Sequence, residues 1–332
     1  MQTQLLKADT QGIATAADIL RRGGLVAFPT ETVYGLGANA LDREAVQRIF
    51  EAKERPSWDP IIVHGTSVEM LRTLVREWPS SAEALSRVYM PGPLTLLLPK
   101  RDIVPAECTA GRDKVGVRIP SHAVAKALIH AAGIPVAAPS ANLFGHTSPT
   151  TAEHVLADLD GRIDAILDGG PSDVGVESTV IDVTIDPPVI YRPGGISREM
   201  IETVIGPVTV AQRPLTDAPV ESLESPGLGI RHYAPRARLL LVHGREEFTA
   251  TIAEQAGKRI GVMLPDGWGG PGLGGAAKFA WGSIEDVERL AHNLYEGLRS
   301  LDQQNVEIIV CPIPRTDGVG LAILDRLTKA AK

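Results

Sequence analysis

Short apolar runs alternate with amphipathic stretches along the first two-thirds of the chain. The short runs are rich in β-branched residues, which favours strands, whereas apolar residues three and four positions apart favour helices. The predicted strands cover residues 25–28, 60–63, 94–98, 115–119, 135–138, 165–167, 180–183 and 189–191. The predicted helices cover residues 15–22, 43–52, 68–75, 82–89, 123–132 and 151–159. This alternation predicts an α/β fold in which helices flank a twisted mixed sheet.

A second, smaller set of the same pattern follows a segment without periodicity. Residues 212–236 are rich in proline, serine and glutamate, and we predict that they form a linker. The predicted elements beyond it are strands at 239–242, 260–264 and 306–311 and helices at 246–256, 284–301 and 321–329. This alternation predicts a small parallel sheet. We therefore expect a larger domain at 1–211 and a Rossmann-like αβ domain at 237–332.

The glycines at 270–275 fit the G-x-G-x-x-G spacing of dinucleotide-binding proteins. A functional motif of this kind directly follows a strand and opens a helix. The segment at 270–275 does neither in the predicted pattern, so we interpret it as a surface loop.

Composition narrows the class of protein. A chain of 332 residues is too long for one typical core, and 44% hydrophobic and 22% charged residues are ordinary globular values. The net charge of −7 argues against a protein that coats nucleic acid. Cys108 and Cys311 lie far apart, which fits a reducing compartment, and no apolar run approaches the length of a membrane span. We expect a cytoplasmic protein with no membrane association.

Polar side chains gather directly after the first predicted strand. Residues 29–37 (PTETVYGLG) place threonines, a glutamate and a tyrosine in a turn that is bounded by glycine. This pattern predicts a sheet edge that lines a pocket, although an ordinary strand followed by a capped loop would leave the same pattern.

Two cations end the helix predicted at 43–52. Lys53 continues the apolar stripe formed by Val46, Ile49 and Phe50, and Arg55 follows. A lysine is rarely buried without a partner, so the pair is a candidate clamp for phosphate groups. The alternative is that both cations only complement the negative end of the helix.

Three further positions carry polar groups beside or within predicted strands. Residues 139–142 (PSAN) form a turn of small residues after a strand, Arg118 lies inside an apolar strand, and His64 ends another. A buried arginine needs a carboxylate from a substrate or from the chain itself, and a single histidine is more often structural than catalytic. No catalytic triad or Walker A motif is present. Cations, hydroxyls and exposed backbone suit phosphoryl or nucleotidyl transfer by positioning and charge stabilisation, without a covalent intermediate.

Several long motifs, in order, resemble the threonylcarbamoyl-AMP synthases. They are 28–37 (FPTETVYGLG), 53–56 (KERP), 91–95 (PGPLT), 139–142 (PSAN) and 175–179 (GVEST). The second αβ set, with 225–227 (SPG) and 232–235 (HYAP) before it, resembles the longer Sua5 type, a YrdC-like domain plus a C-terminal domain. The resemblance implies that L-threonine, bicarbonate and ATP become L-threonylcarbamoyl-AMP and pyrophosphate. A separate transferase then uses the product to modify adenosine 37 of tRNAs that read codons beginning with A.

The resemblance also implies roles for individual residues. It places L-threonine against Thr32, His64, Arg118, Ser178 and the backbone of Ala138. It places ATP, with Mg²⁺ on its phosphates and no metal ligand from the protein, against Arg55, Asp59, Lys114, Ser140, Asn142, Ser148, Arg192 and Tyr233. Lys53 and Arg55 are the implied catalytic cations, and Tyr233 would cover the nucleotide.

Two positions depart from the family pattern. Asp59, after an unusual Trp58, stands where the family usually has asparagine, and a carboxylate repels phosphates unless it holds Mg²⁺ or pairs with a cation. Leu228 replaces a frequent methionine, which is a mild change.

Two rival functions remain open at this stage. The first is an RNA-binding module, against which the net charge and the 4% aromatic content argue. The second is a related enzyme that uses carbamoyl phosphate, but such chains carry additional cysteines. Direct contact with tRNA or with the transferase, and the oligomeric state, are left open.

Overall fold

One mixed sheet of eleven strands organises the first 211 residues. The computed structural model describes residues 2–211 and 233–331. The strands of this sheet are β1 (Gln4–Lys7), β2 (Val26–Phe28), β3 (Gly35–Asn39), β4 (Val63–His64), β5 (Leu94–Pro99), β6 (Lys114–Arg118), β7 (Val136–Ala137), β8 (Ala165–Asp168), β9 (Thr179–Asp182), β10 (Val189–Arg192) and β11 (Thr209–Val210). Their order across the sheet is β1-β8-β2-β3-β7-β4-β6-β5-β9-β10-β11.

Helices flank this sheet, as the sequence predicts. They are α1 (Thr10–Arg21), α2 (Arg43–Lys53), α3 (Val68–Arg72), α4 (Ser80–Tyr89), α5 (Ala123–Ala132), α6 (Ala152–Leu159) and α7 (Arg198–Ile205). Asp42 caps α2 by accepting hydrogen bonds from the backbone N–H groups of Glu44 and Ala45. Buried apolar residues form a large cluster around Val46 and Val117 and a second cluster around Leu20 and Leu128.

The sequence-based prediction missed β1, β3, β11 and α7. Strand β3 has the sequence GLGAN, whose glycines indicate a turn rather than a strand. The structure shows why glycine is present: a Cβ atom at Gly37 would lie 2.8 Å from the ring of Phe28 and 2.9 Å from Cγ1 of Val136. The missing side chain lets the neighbouring strands pack closely.

The second domain is built on a four-stranded parallel sheet. Its strands are β12 (Arg238–Val242), β13 (Ile260–Pro265), β14 (Ala277–Gly282) and β15 (Ile308–Pro312), in the order β12-β15-β13-β14. Its helices are α8 (Gly244–Glu254), α9 (Val287–Gln303) and α10 (Gly320–Ala330). The predicted αβ domain is confirmed, with β14 as an additional edge strand. The glycines of 270–275 are exposed around one short turn of 3₁₀-helix, so the surface-loop interpretation is also confirmed.

Charged and apolar contacts join the two domains. Val33 and Val176 of the first domain belong to the same buried cluster as Leu294 and Ile323 of the second. Arg299 on α9 pairs with Asp158 on α6 at 2.8 Å. The domains therefore share a continuous buried interface.

The predicted linker is described only at its end. Residues 212–232, which include the motif at 225–227, Leu228 and His232, lie outside the described residues. Tyr233 is buried, and the next residue, Ala234, donates its N–H to the carbonyl of Gly145 at 2.8 Å. The chain thus enters the second domain along the 143–147 loop.

The helices of residues 2–211 and 233–331 include none with the length and apolar character needed to cross a membrane.

Candidate active site

A cleft of about 510 Å³ opens where β2, β6, β7 and β10 end. Polar side chains and backbone from these strand ends face it together, with residues from the end of α2 and the linker. The lining residues are Thr30, Thr32, Val33, Gly35, Arg55, Ile62, His64, Arg118, Ala138, Pro139, Ser140, Glu177, Arg192 and Tyr233.

The cleft brings together eight of the site residues that the sequence predicts. They are Thr32, Arg55, His64, Arg118, Ala138, Ser140, Arg192 and Tyr233. The polar turn after the first predicted strand therefore lines a pocket, rather than forming an ordinary capped loop.

Arg118 is the last residue of β6, and its guanidinium is almost completely buried. It donates to Oγ1 of Thr32 at 3.1 Å, to the carbonyl of Gly92 at 3.2 Å, and pairs with Oε1 of Glu31 at 2.7 Å. Burial raises the pKa of Glu31, but the charge of Arg118, together with hydrogen bonds from Arg118 and from the backbone, outweighs burial, and the pKa is lowered overall. The carboxylate that the sequence requires for Arg118 is thus supplied by Glu31 in this structure.

Arg55 forms a second buried ion pair. Its NH2 group lies 3.0 Å from Oδ2 of Asp59 and 2.7 Å from the carbonyl of Pro60. Asp59 does not line the cleft. Its carboxylate faces Arg55, which counters the repulsion that this unusual residue would otherwise exert on phosphates.

Lys53 lies behind the cleft rather than on its surface. Its Nζ donates to the carbonyls of Ser140 at 2.6 Å and Asn142 at 2.5 Å. Burial, followed by the charge of Arg55, lowers the pKa of Lys53 well below its usual value. The predicted continuation of the buried stripe is confirmed, and the contacts show that Lys53 fixes the 140–142 loop.

Three other predicted residues support the cleft without lining it. Asn142 donates from Nδ2 to the carbonyls of Leu143 and His146 at 2.7 and 2.9 Å. Ser148 donates to Oε1 of Glu177 at 2.6 Å. Ser178 shares a hydrogen bond with the hydroxyl of Thr95 at 2.8 Å.

The structure does not bring Lys114 into the cleft. Lys114 begins β6, whereas Arg118 ends it, so the two side chains lie at opposite ends of the strand. Its Nζ pairs with Oδ2 of Asp182 at 2.6 Å, in a separate hollow beside Tyr191. Lys114 therefore does not line the cleft, and its implied contact with ATP stays a prediction.

Arg192 ends β10 and reaches the cleft from the opposite wall. Its Nε donates to the carbonyl of Ser178 and its NH2 to the hydroxyl of Ser178, both at 3.0 Å. In the part of the chain that the structure describes, Arg192 bonds neutral oxygens and forms no ion pair. Among these residues, its charge therefore has no direct carboxylate partner.

Glu177 is the one charged residue among the described cleft-lining residues that were not predicted as site residues. Its carboxylate accepts hydrogen bonds from Ser148, from the hydroxyl of Tyr295 at 3.0–3.1 Å, and from Nε of Arg326 at 2.8 Å. Burial raises its pKa, but Arg326 and Arg192 outweigh burial and lower the pKa to about 2. Glu177 is therefore ionised at neutral pH.

A usable signal for Arg326 was present in the sequence. Arg326 interrupts the buried face formed by Ala322, Ile323 and Leu327 on α10, just as Lys53 continues that of α2. The position of Arg326 in this apolar pattern thus indicates a buried cation that needs a partner.

Known proteins share this sequence over both domains. Residues 18–194 match a family described as "Telomere recombination" (Sua5_yciO_yrdC), and residues 196–332 match "Threonylcarbamoyl-AMP synthase, C-terminal domain". Threonylcarbamoyl-AMP synthases of Pyrococcus abyssi and Bacillus subtilis are each 46% identical to this chain. The matches cover 96% of this chain and 94% of the P. abyssi protein, and 99% of this chain and 95% of the B. subtilis protein.

A solved structure shows the same similarity in three dimensions. The crystal structure of P. abyssi Sua5 complexed with L-threonine superposes with a TM-score of 0.92 at 44% identity. The match covers 100% of this chain and 98% of that one, so both domains are included.

We predict that His64 makes stability depend on pH. Burial and the nearby Arg118 lower its pKa from 6.5 to about 3, so the unfolded chain binds a proton below pH 6.5 that the folded chain does not. Stability should therefore fall by up to about 1.4 kcal/mol per pH unit as the pH drops from about 6 to about 4. Denaturant unfolding should show a smaller slope for His64→Asn. The matched control, His130→Asn, changes an exposed histidine, and equal slopes in both variants would contradict the prediction.

We also predict that Gly194→Ala disturbs the cleft. A Cβ atom there would overlap backbone atoms of Glu177, Ser178 and Thr179. The expected loss is about 1–3 kcal/mol in the free energy of unfolding. Gly269→Ala is the control, because a Cβ atom at Gly269 would meet no atom within 4 Å beyond its own chain neighbours. Equal thermal stability of the two variants would contradict the prediction, because it would show that the backbone of residues 177–179 moves to accommodate the added Cβ atom.

Proposed function

Because this chain belongs to the threonylcarbamoyl-AMP synthase family, we propose that it converts L-threonine, bicarbonate and ATP to L-threonylcarbamoyl-AMP and pyrophosphate. The observation that carries the proposal is one cleft in which Arg55, Arg118 and Arg192 face the same space. Arginine binds carboxylates and phosphates through paired N–H donors. Such a cleft suits one amino-acid carboxylate beside a triphosphate.

We assign the amino acid to the strand ends around Arg118. Arg118 offers donors for its carboxylate, while Thr32, His64 and the backbone of Ala138 surround that end of the cleft. Ser178 lies behind Arg192 and helps to shape this wall.

We assign ATP to the end of the cleft between Arg55, Ser140, Arg192 and Tyr233. Asn142 and Ser148 lie behind the cleft. Asn142 fixes the 142–146 backbone, and Ser148 fixes the carboxylate of Glu177. Asp59 contributes through Arg55 rather than by direct contact with phosphate.

The chemistry follows from charge and position. The threonine nitrogen bonds to the carbon of bicarbonate with loss of water, and an oxygen of the resulting carbamate attacks the α-phosphorus of ATP. The bond to pyrophosphate breaks, and negative charge moves onto the leaving group. Fixed guanidinium groups stabilise the negative charge that develops in the transition state more than they stabilise the ground state.

Mg²⁺ enters with ATP in this proposal. The acidic groups that line the cleft or lie directly behind it are paired with arginines: Glu177 with Arg326, Asp59 with Arg55 and Glu31 with Arg118. The fitting donors for Mg²⁺ are therefore the phosphate oxygens of ATP itself. When bound there, the ion neutralises phosphate charge and polarises the reacting phosphate.

We further propose that the product passes to a separate transferase, which modifies adenosine 37 of tRNAs that read codons beginning with A. A cytoplasmic setting is supported by Cys108 and Cys311, which are both free thiols and are both buried.

The proposal is tested by mass spectrometry of the reaction products. Purified protein incubated with ATP, Mg²⁺, bicarbonate and threonine should form the threonylcarbamoyl adenylate and an equal amount of pyrophosphate. Omission of threonine or of bicarbonate should abolish both. Pyrophosphate release that ignores threonine would overturn the proposal.

We predict that Arg55→Ala and Lys53→Met each reduce the rate of product formation by at least about 100-fold. Arg55→Ala removes a cleft cation and leaves Asp59 buried without this partner, and Lys53→Met releases the 140–142 loop. Initial rates of pyrophosphate release measure the effect. Arg48→Met is the control on the same helix, since Arg48 pairs with the partly exposed Asp164 away from the cleft. Rates near that of the parent protein in both variants would remove Lys53 and Arg55 from the mechanism.

A further inference from the structure

A residue of the second domain holds a wall of the cleft. Arg326 on α10 is buried, and its Nε donates to Oε2 of Glu177 at 2.8 Å. The centre of its guanidinium lies 5.1 Å from the ring centre of Tyr233, in a cation–π contact. One side chain thus contacts two residues that line the cleft, although Arg326 itself does not line it.

Other contacts restrict this arrangement. Tyr295 on α9 donates to the same carboxylate of Glu177, and its ring centre lies 5.9 Å from that of Tyr233. Arg326 also pairs with Asp325 at 2.6 Å, and Asp325 pairs with Lys329 at 2.7 Å. The guanidinium is therefore fixed in place before any ligand binds.

Counting charges shows why this cation matters for an anionic ligand. Arg55 and Arg118 are each paired with a carboxylate, from Asp59 and Glu31. The charge of Arg192 is formally balanced by Glu177, which faces the same cleft. Without Arg326, these buried groups would carry no net positive charge, and Glu177 would repel phosphates from the cleft wall.

We propose that Arg326 is a positioning residue of the active centre: it neutralises Glu177, orients Tyr233 and so makes the cleft receptive to the triphosphate of ATP. This inference rests on the proposed function and adds a task for the second domain. It assigns Arg326 to the ATP end of the cleft, and it predicts little effect on threonine, whose partner Arg118 is already paired with Glu31.

The test compares Arg326→Gln with the parent protein by equilibrium binding of ATP and by steady-state kinetics. The ATP dissociation constant should rise by about tenfold or more, while the KM for threonine changes by less than about twofold. Arg326→Lys, which keeps the positive charge, should recover part of the ATP affinity. Arg315→Gln is the control, because Arg315 is a cation of the second domain whose ion pair, with Asp317, involves neither Glu177 nor Asp325.

A double-mutant cycle separates this role from a general loss of stability. Glu177→Gln removes the charge that Arg326 neutralises, so adding Arg326→Gln should then weaken ATP binding by less than it does in the parent protein. If Arg326→Gln does not fold, Tyr295→Phe removes another partner of Glu177 and should raise the ATP dissociation constant by about threefold.

Each outcome decides one question. Unchanged ATP binding in a folded Arg326→Gln, or in Tyr295→Phe where that variant replaces it, would overturn the inference. The inference would also be overturned if the affinities for ATP and for threonine fell equally and in parallel with the melting temperature. A parent protein that makes no adenylate would overturn the proposed function instead, and that result is measured before any variant is compared.

Discussion

The ion pair between Glu177 and Arg326 joins the two domains at a place where both side chains are almost completely buried, and the geometry of the cleft depends on it. An ionised carboxylate at this depth would cost several kcal/mol without a partner. Its partners fix Glu177, and the next residue, Ser178, holds Arg192 through its carbonyl and its hydroxyl. The interdomain contact is therefore transmitted over one peptide unit to a cation that faces the ligand.

The same constraint explains the other walls. Arg118 and Arg55 are buried cations, and Glu31 and Asp59 keep each of them charged and oriented. A guanidinium held in this way can still donate from its remaining N–H groups to a carboxylate or a phosphate. Little reorganisation is then needed when charge develops in the reaction, and this preorganisation is the usual source of electrostatic catalysis. Lys53 serves the same end indirectly, because it ties the backbone of Ser140 and Asn142 to α2.

Much of this arrangement could be predicted from the sequence, because strand ends and buried cations leave local patterns. Lys53 and Arg118 interrupt apolar stretches, and both are buried at the cleft or directly behind it. Strand β3 could not be predicted, since its glycines are explained only by the neighbouring Phe28 and Val136. The pairing of Glu177 with Tyr295 and Arg326 was equally hidden, because these partners lie 118 and 149 residues away along the chain, although Arg326 itself interrupts a buried apolar face. Lys114 shows a different limit, because its role is implied by resemblance alone and the structure places it outside the lining of the cleft, at the start of β6.

The division of one buried ion pair between two domains has an evolutionary consequence. A first domain that carries Glu177 is adapted to a neighbour that presents a cation, so the two segments are expected to be inherited together. A chimaera that joins this first domain to a foreign second domain would place an uncompensated acid beside the nucleotide. Exchange of the second domain between lineages is then tolerated only where the helix of the incoming domain carries a guanidinium at the position of Arg326. The alternative is that the first domain has already lost Glu177.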